Sequence, residues 1–299
     1  MELSQLTTEQ RNPNSMNLDQ MPAMEILKII NQEDKQVAYA VEKVLPQVEK
    51  AVEEVSGALR NGGRLFYVGA GTSGRLGVMD ASECPPTFMT PPDIVQTIMA
   101  GGTDAFFQAV EGSEDDEDQG ARDLLQRNLT DKDVVLGITA SGRTPYPIGA
   151  LKQARRTGAY TISLSCNESS QISSFADCGI EVIVGPEVLT GSTRMKAATA
   201  HKMILNMIST ASMVKMGKVH ENLMVDVHAS NYKLMERAKR TVMEVTNATY
   251  EKAEEVLSVT GFEVKPAIVM IQAGAELEAA KAAISRNGGY VRKAIESLV

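Results

Sequence analysis

The sequence has no tryptophan, and phenylalanine, tyrosine and tryptophan together make up only 4% of its 299 residues. With a formal net charge of −8, this excludes a nucleic-acid groove built from basic and stacking side chains. Cysteine is scarce too. Cys84, Cys166 and Cys178 are an odd number without metal-ligand spacing, and His201, His220 and His228 have no partners at such spacing, which argues against a metal centre and against a disulfide framework. No apolar run approaches the roughly 20 residues needed to span a bilayer, and the first residues lack a basic and then apolar signal segment. The expectation is a non-membrane protein of the reducing cytoplasm. Its 43% hydrophobic content is enough for one large α/β domain with an appendage, or for two medium domains.

What the sequence does have is a loop of little bulk behind a buried strand. Leu65 to Val68 follow the turn Asn61-Gly62-Gly63 and read as a strand. The run Gly69-Ala70-Gly71-Thr72-Ser73-Gly74-Arg75-Leu76-Gly77 then lets the backbone approach a ligand. Thr72, Ser73 and the first amides of a following helix offer donors at the positive end of its dipole. This is the pattern of an anion cradle, most simply for phosphate. Its spacing resembles neither the dinucleotide fingerprint, with its acidic residue about 20 positions on, nor the P-loop, since no Lys-Ser/Thr pair follows the glycines. Taken alone, the loop is equally well read as a tight turn without a ligand.

The rest of the chain supplies the pattern around it. Residues 1–19 are polar and aperiodic and are expected to form a loose arm. Helical spacing then runs from Met24 to Leu59, with Pro46 kinking the second helix or starting a new one. Strands are expected at 93–100, 133–138, 160–164 and 180–184, alternating with helices, which predicts a five-stranded parallel sheet with ligand loops at the strands' C-terminal ends. The third strand runs into Ala140-Ser141-Gly142-Arg143-Thr144-Pro145, an echo of the first loop, so two hydroxyl-rich loops can converge on one phosphate. A third related loop, Gly191-Ser192-Thr193-Arg194-Met195-Lys196, opens a long helix. From Asn231 onward the spacing is wholly helical. The expected divisions are an arm with helices at 1–54, an α/β domain carrying the phosphate loops at 55–230 and a helical module at 231–299.

Two carboxylates stand out as proton-transfer groups. Glu83 follows the first cradle in a Pro-stiffened, uncharged stretch that would keep a carboxyl from bulk water. Glu114 lies in the acidic run 111–118, whose plainest reading is a solvated helix start. On spacing alone Glu83 also reads as a surface or capping residue.

The segments Gly69 to Gly77, Asp80-Ala81-Ser82-Glu83-Cys84-Pro85-Pro86-Thr87, Ala140 to Tyr146 and Gly185 to Lys196 resemble the N-acetylmuramic acid 6-phosphate etherase family. That family has the sugar isomerase (SIS) fold and shares the last signature with the glucokinase regulatory protein. The resemblance implies a three-layer α/β SIS fold with a C-terminal helical module, a cofactor-free carbon–oxygen lyase, and a homodimer. The implied reaction cleaves the D-lactyl ether of N-acetylmuramic acid 6-phosphate to N-acetylglucosamine 6-phosphate and D-lactate in peptidoglycan sugar recycling. It places Glu83 and Glu114 on the two catalytic carboxylates. Gly71, Thr72, Ser73, Ser141, Arg143 and Thr144 are the expected sugar-phosphate contacts, and by charge Arg194 or Lys196 would meet the lactyl carboxylate. Two other readings stay open: a sugar-phosphate isomerase, which releases nothing, and a non-catalytic sugar-phosphate sensor, which needs neither acid nor base.

Overall fold

The computed structural model describes residues 6–108, 110–226 and 231–299; His228 lies outside the described residues. Contacts divide the chain into two compact units, Met1–Ala81 with Asp93–Ser209 and Ser82–Pro92 with Thr210–Val299. The first holds strands β1 (Leu65–Gly69), β2 (Val95–Met99), β3 (Val134–Ile138), β4 (Tyr160–Ser165) and β5 (Cys178–Glu181). They form one sheet in the order β2-β1-β3-β4-β5, with every neighbouring pair parallel. β1 and β3 are apolar at nearly every position and wholly buried, as strands covered on both faces must be.

The helices of this unit are α1 (Ala23–Glu42), α2 (Leu45–Arg60), α3 (Gly71–Phe88), α4 (Asp104–Phe107), α5 (Glu117–Leu125), α6 (Pro145–Thr157) and α7 (Lys196–Lys215), with the ends of α3 and α7 passing into the second unit. Side chains alternate along β1. Phe66 and Val68 pack with Leu124 of α5 and Leu151 of α6, whereas the hydroxyl of Tyr67 donates to Asp80 of α3 at 2.8 Å. Asn206 and Ser209 of α7 donate to the other Asp80 oxygen at 2.6 and 3.1 Å. One buried carboxylate thus ties α3 and α7 to the central strand. α5 and α6 meet backbone to backbone, because a Cβ on Gly120 would collide with the Tyr146 carbonyl and one on Gly149 with the Glu117 carbonyl.

At the opposite end of the sheet, Asp133 is bonded by the Arg64 guanidinium at 2.8 Å and by the amides of Arg64 and Thr130, each at 2.8 Å. Burial pushes the Asp133 pKa up, but the Arg64 and Thr130 hydrogen bonds outweigh it and hold the carboxyl below its usual range. The clamp sets the register of β1 on β3.

The second unit is a short ribbon, β6 (Val219–His220) with β7 (Leu223–Met224), and helices α8 (Tyr232–Thr246), α9 (Tyr250–Thr260), α10 (Val264–Ala273), α11 (Leu277–Arg286) and α12 (Val291–Glu296). The run Ala267 to Ile271 is helical as its Pro266 predicts. No single helix among the described residues is long and apolar enough to cross a membrane.

Two expectations change, and one open alternative, at Pro46, is decided. The described part of the arm is not loose. Thr8 and Asn12 are 1% and 2% exposed, and the Asn12 and Ser15 side chains donate to the carbonyls of Pro186 and Val188 at 3.0 and 2.7 Å. Its polar residues satisfy loop carbonyls, so low hydrophobicity did not mean disorder. The fifth strand begins at Cys178, earlier than the Ile180 that periodicity picks, because Cys178 and Gly179 pair in register with Ile162 and Ser163 of β4. Pro46 starts α2 at its first turn, where its missing amide proton has no helical partner to lose.

His201 of α7 is fully buried, with Nε2 3.3 Å from the Cys166 sulfur. Burial lowers its pKa to about 4 from 6.5. A folded value below the unfolded one gives stability that is complete above pH 6.5 and lost as pH falls towards 4, by about 3 kcal/mol. Urea midpoints at pH 7 and pH 4.5 should show this loss. A His201→Gln variant, though less stable at pH 7, should lose less on acidification, and parallel losses would assign the acid sensitivity elsewhere.

Candidate active site

The strand order fixes where ligand loops can meet. From β1 the chain turns outward to β2 and then returns across β1 to β3, so the loops after β1 and β3 leave in opposite directions and open a crevice between them. Gly69 is paired with Ile138 at the ends of β1 and β3, and Ile138 with Leu164 of β4. The two hydroxyl loops therefore start level with each other on neighbouring strands.

In the first loop the glycines divide their work. A Cβ on Gly69 would lie 2.9 Å from the Gly74 nitrogen, and one on Gly74 would lie 2.8 Å from the Gly69 carbonyl oxygen. These two glycines press α3 onto β1 and are not ligand-facing gaps, which corrects the sequence reading. Gly71 is the one that faces outward, exposed, with φ +53° and open space for 4 Å around the point where a Cβ would stand. Thr72 and Ser73 follow it, half-buried, in the first turn of α3.

The second loop is held more tightly. Thr139 is 2% exposed, and its hydroxyl lies 3.2 Å from that of Ser141 and 2.7 Å from that of Thr144. Gly142 has φ +74°, and a Cβ there would collide with Ser170. The Asn167 side chain donates to the carbonyls of Ala140 and Ser141 at 3.1 and 3.4 Å and to the Thr8 hydroxyl at 3.1 Å, joining arm to loop. Thr144 stands at the N-terminal boundary of α6 without a side-chain capping bond, and the first turn of the helix contains Pro145 and Pro147. Two of the usual free amides are missing there, so hydroxyls must supply the donors. A pocket of about 250 Å³ beside this loop is lined by Leu6, Ser141, Arg143 and residues 168–171.

Thr139 was not selected from the sequence. Its signal was position, as the first hydroxyl after the strand. Thr139→Val should raise KM for a phosphorylated substrate about tenfold, because the Ser141 and Thr144 hydroxyls lose a buried partner. Steady-state kinetics check this, and an unchanged KM would remove Thr139 from the site.

The third loop is already occupied. Glu187 is 0% exposed and accepts the amides of Lys196 and Ala197 at the start of α7, both at 2.9 Å. Burial raises its pKa against those two hydrogen bonds. An internal carboxylate thus occupies the positive end of the α7 dipole. Lys196 is 2% exposed, and its Nζ is 2.6 Å from Glu33 of α1. Asn14 of the arm donates to the same carboxyl at 2.8 Å. Burial pushes the Glu33 pKa up, but the bonds from Lys196, Asn14 and Asn12 outweigh it and hold it below the usual range. Arg194 is exposed.

The two carboxylates sit on different parts of the fold. Glu83 is on α3, which continues through Pro85 and Pro86 to Phe88, within the second unit. Cys84 turns inward at 2% exposure and Glu83 outward into solvent, so the segment does not shield the carboxyl as its prolines suggested. Glu114 is in the first unit, exposed on the one-turn helix Ser113–Asp115. The acidic run around it sorts itself: Asp116 caps α5 by accepting the Gln119 amide at 2.8 Å, and Glu117 pairs with Lys152 at 2.6 Å. Glu114 has no ion-pair partner among the described residues. Arg75, another residue not selected from the sequence, reaches from α3 to the carbonyls of Phe106 and Ala105 at 2.9 and 2.8 Å, fastening the segment that leads to Glu114.

Residues 47–155 match the glucokinase regulatory protein N-terminal SIS domain, and residues 112–211 match the SIS domain. The chain is 57% identical over 294 residues to an N-acetylmuramic acid 6-phosphate etherase of Bacillus pumilus (strain SAFR-032), covering 98% of this chain and 97% of that one. It is 56% identical over 296 residues to the N-acetylmuramic acid 6-phosphate etherase of Bacillus subtilis (strain 168), covering 99% and 97%. Among solved structures, a phosphoheptose isomerase from Francisella tularensis is similar in fold, with a TM-score of 0.53 and 19% identity over 65% of this chain and 100% of that one.

Proposed function

The chain belongs to the N-acetylmuramic acid 6-phosphate etherase family, and we propose that the hydroxyl loops after β1 and β3 hold the sugar 6-phosphate while Glu83 and Glu114 move the protons. The protein is a carbon–oxygen lyase that cleaves the ether of this sugar phosphate. Thr72, Ser73, Ser141 and Thr144, with Thr139 behind them, supply the phosphate's donors, beside Gly71 and Arg143. Arg194 is assigned to the lactyl carboxylate, since Lys196 is engaged by Glu33.

In the open-chain sugar the C1 aldehyde acidifies the C2 hydrogen. Glu114 removes it as a proton, the electron pair forms the C2–C3 double bond, and the C3–O bond breaks. Glu83 gives its proton to the departing lactate oxygen. Glu83, now a carboxylate, takes a proton from water as that water adds to C3, and Glu114 returns a proton to C2. The sum is substrate plus water giving N-acetylglucosamine 6-phosphate and D-lactate. The substrate's own carbonyl stabilises the charge, so the chemistry requires only an acid and a base. The same reading has the protein acting as a cytoplasmic homodimer in peptidoglycan sugar recycling.

The observation that carries the phosphate assignment is the level pairing of Gly69 with Ile138 at the strand-order reversal. The purified protein should release D-lactate from N-acetylmuramic acid 6-phosphate and not from the unphosphorylated sugar. An isomerised sugar without lactate would indicate an isomerase, and tight binding without turnover a sensor.

A further inference from the structure

The second unit contains a cavity of about 490 Å³ whose walls include Val225, Phe262, Val264 and Ile284 together with Lys218 and Lys265. Its size falls within the roughly 300–1,000 Å³ of small-molecule sites, which are mostly apolar with a few placed polar groups. The polar groups here are unbalanced. The ammonium groups of Lys218 and Lys265 both rest on one Asp226 oxygen, at 3.0 and 2.7 Å. A third, Lys281, is matched by Glu263 at 2.8 Å. Among the described residues lining the cavity, three cations face two carboxylates, leaving one positive charge over.

The surplus lies deep. Lys265 is 7% exposed, and of its three ammonium protons one is bonded, to Asp226, among the described residues. Burial lowers its pKa, and the nearby Lys218 charge adds to that while Asp226 opposes it. A buried ammonium with unused donors and a like charge beside it is stabilised by a further anion. A dianion would overshoot a surplus of one charge, and a fully hydrophilic one would leave Phe262 and Ile284 unused.

We propose that this cavity binds a small monocarboxylate with an apolar body, its carboxylate between Lys218 and Lys265 and its body against Phe262 and Ile284. The site belongs to the second unit and does not rest on the etherase reading.

The test is calorimetric titration of the full-length protein with 3-phenylpropanoate, and with its neutral amide as control. Saturable binding of the acid is expected, with the amide and inorganic phosphate at least about tenfold weaker. Lys265→Met removes a buried side chain and can unfold the unit even though Asp226 keeps Lys218, so the decisive variant is Lys218→Gln, at a side chain 25% exposed. It should weaken the acid about tenfold with the thermal transition retained. Equal binding of acid and amide, unchanged affinity in Lys218→Gln, displacement by N-acetylglucosamine 6-phosphate, or no saturable heat would each overturn the proposal.

Discussion

Glu83→Gln and Glu114→Gln are each expected to slow ether cleavage by about 10²–10⁴-fold, the range supplied by a positioned acid or base, while still binding N-acetylglucosamine 6-phosphate. Glutamine keeps the size and a hydrogen-bonding head but cannot exchange a proton at the required step. Both residues are exposed, so neither change should alter folding, and lost activity reads as lost chemistry. The two variants should differ in one respect. With product in deuterated water, Glu83→Gln should still exchange the C2 hydrogen, because Glu114 remains as base. Glu114→Gln should not. Exchange in both would separate Glu114 from C2, and normal turnover in either would remove that residue from the mechanism.

Lys196→Met should cost about 3 kcal/mol of stability, with the effect on KM secondary. Charge alone made Lys196 a candidate for the lactyl carboxylate, yet its ammonium is buried against Glu33, whose side chain is 12% exposed. Removing one member of such a pair strands the other. The arm's Asn14 bonds the same carboxyl, so the loss should spread to the arm's attachment. Adding Glu33→Gln should recover much of the stability, a coupling that a double-mutant cycle in urea measures directly. A variant of full stability with a greatly raised KM would return Lys196 to the substrate.

Local chemistry made much of the sheet legible. β1 and β3 are uninterrupted apolar runs closed by glycine or hydroxyl loops, and α2, α6 and α10 begin beside prolines that suit a helix start. Burial that depends on distant partners was not legible. Nothing near Glu187 indicates that its carboxylate caps α7, because the partner amides only arrive when the loop folds back. The arm looked disordered because its buried groups, Thr8 and Asn12, are polar and find their hydrogen-bond partners well over a hundred residues away. Gly69 and Gly74 were legible as necessary but not as to cause. A packing glycine and a ligand-facing glycine are the same letter, and only the neighbouring backbone distinguishes them. Glu83 was misplaced relative to solvent because the Pro-stiffened, uncharged stretch suggested a shielded carboxyl, whereas α3 continues through both prolines with Glu83 on its exposed side.

The most direct test of the mechanism is the cleavage of N-acetylmuramic acid 6-phosphate in deuterated water, with D-lactate assayed and the sugar product examined by mass and NMR. Elimination through C2 deprotonation predicts D-lactate together with deuterium at C2 of N-acetylglucosamine 6-phosphate. Lactate released with the original hydrogen still at C2 would contradict it, since the ether bond would then have broken without the base that the site is proposed to provide.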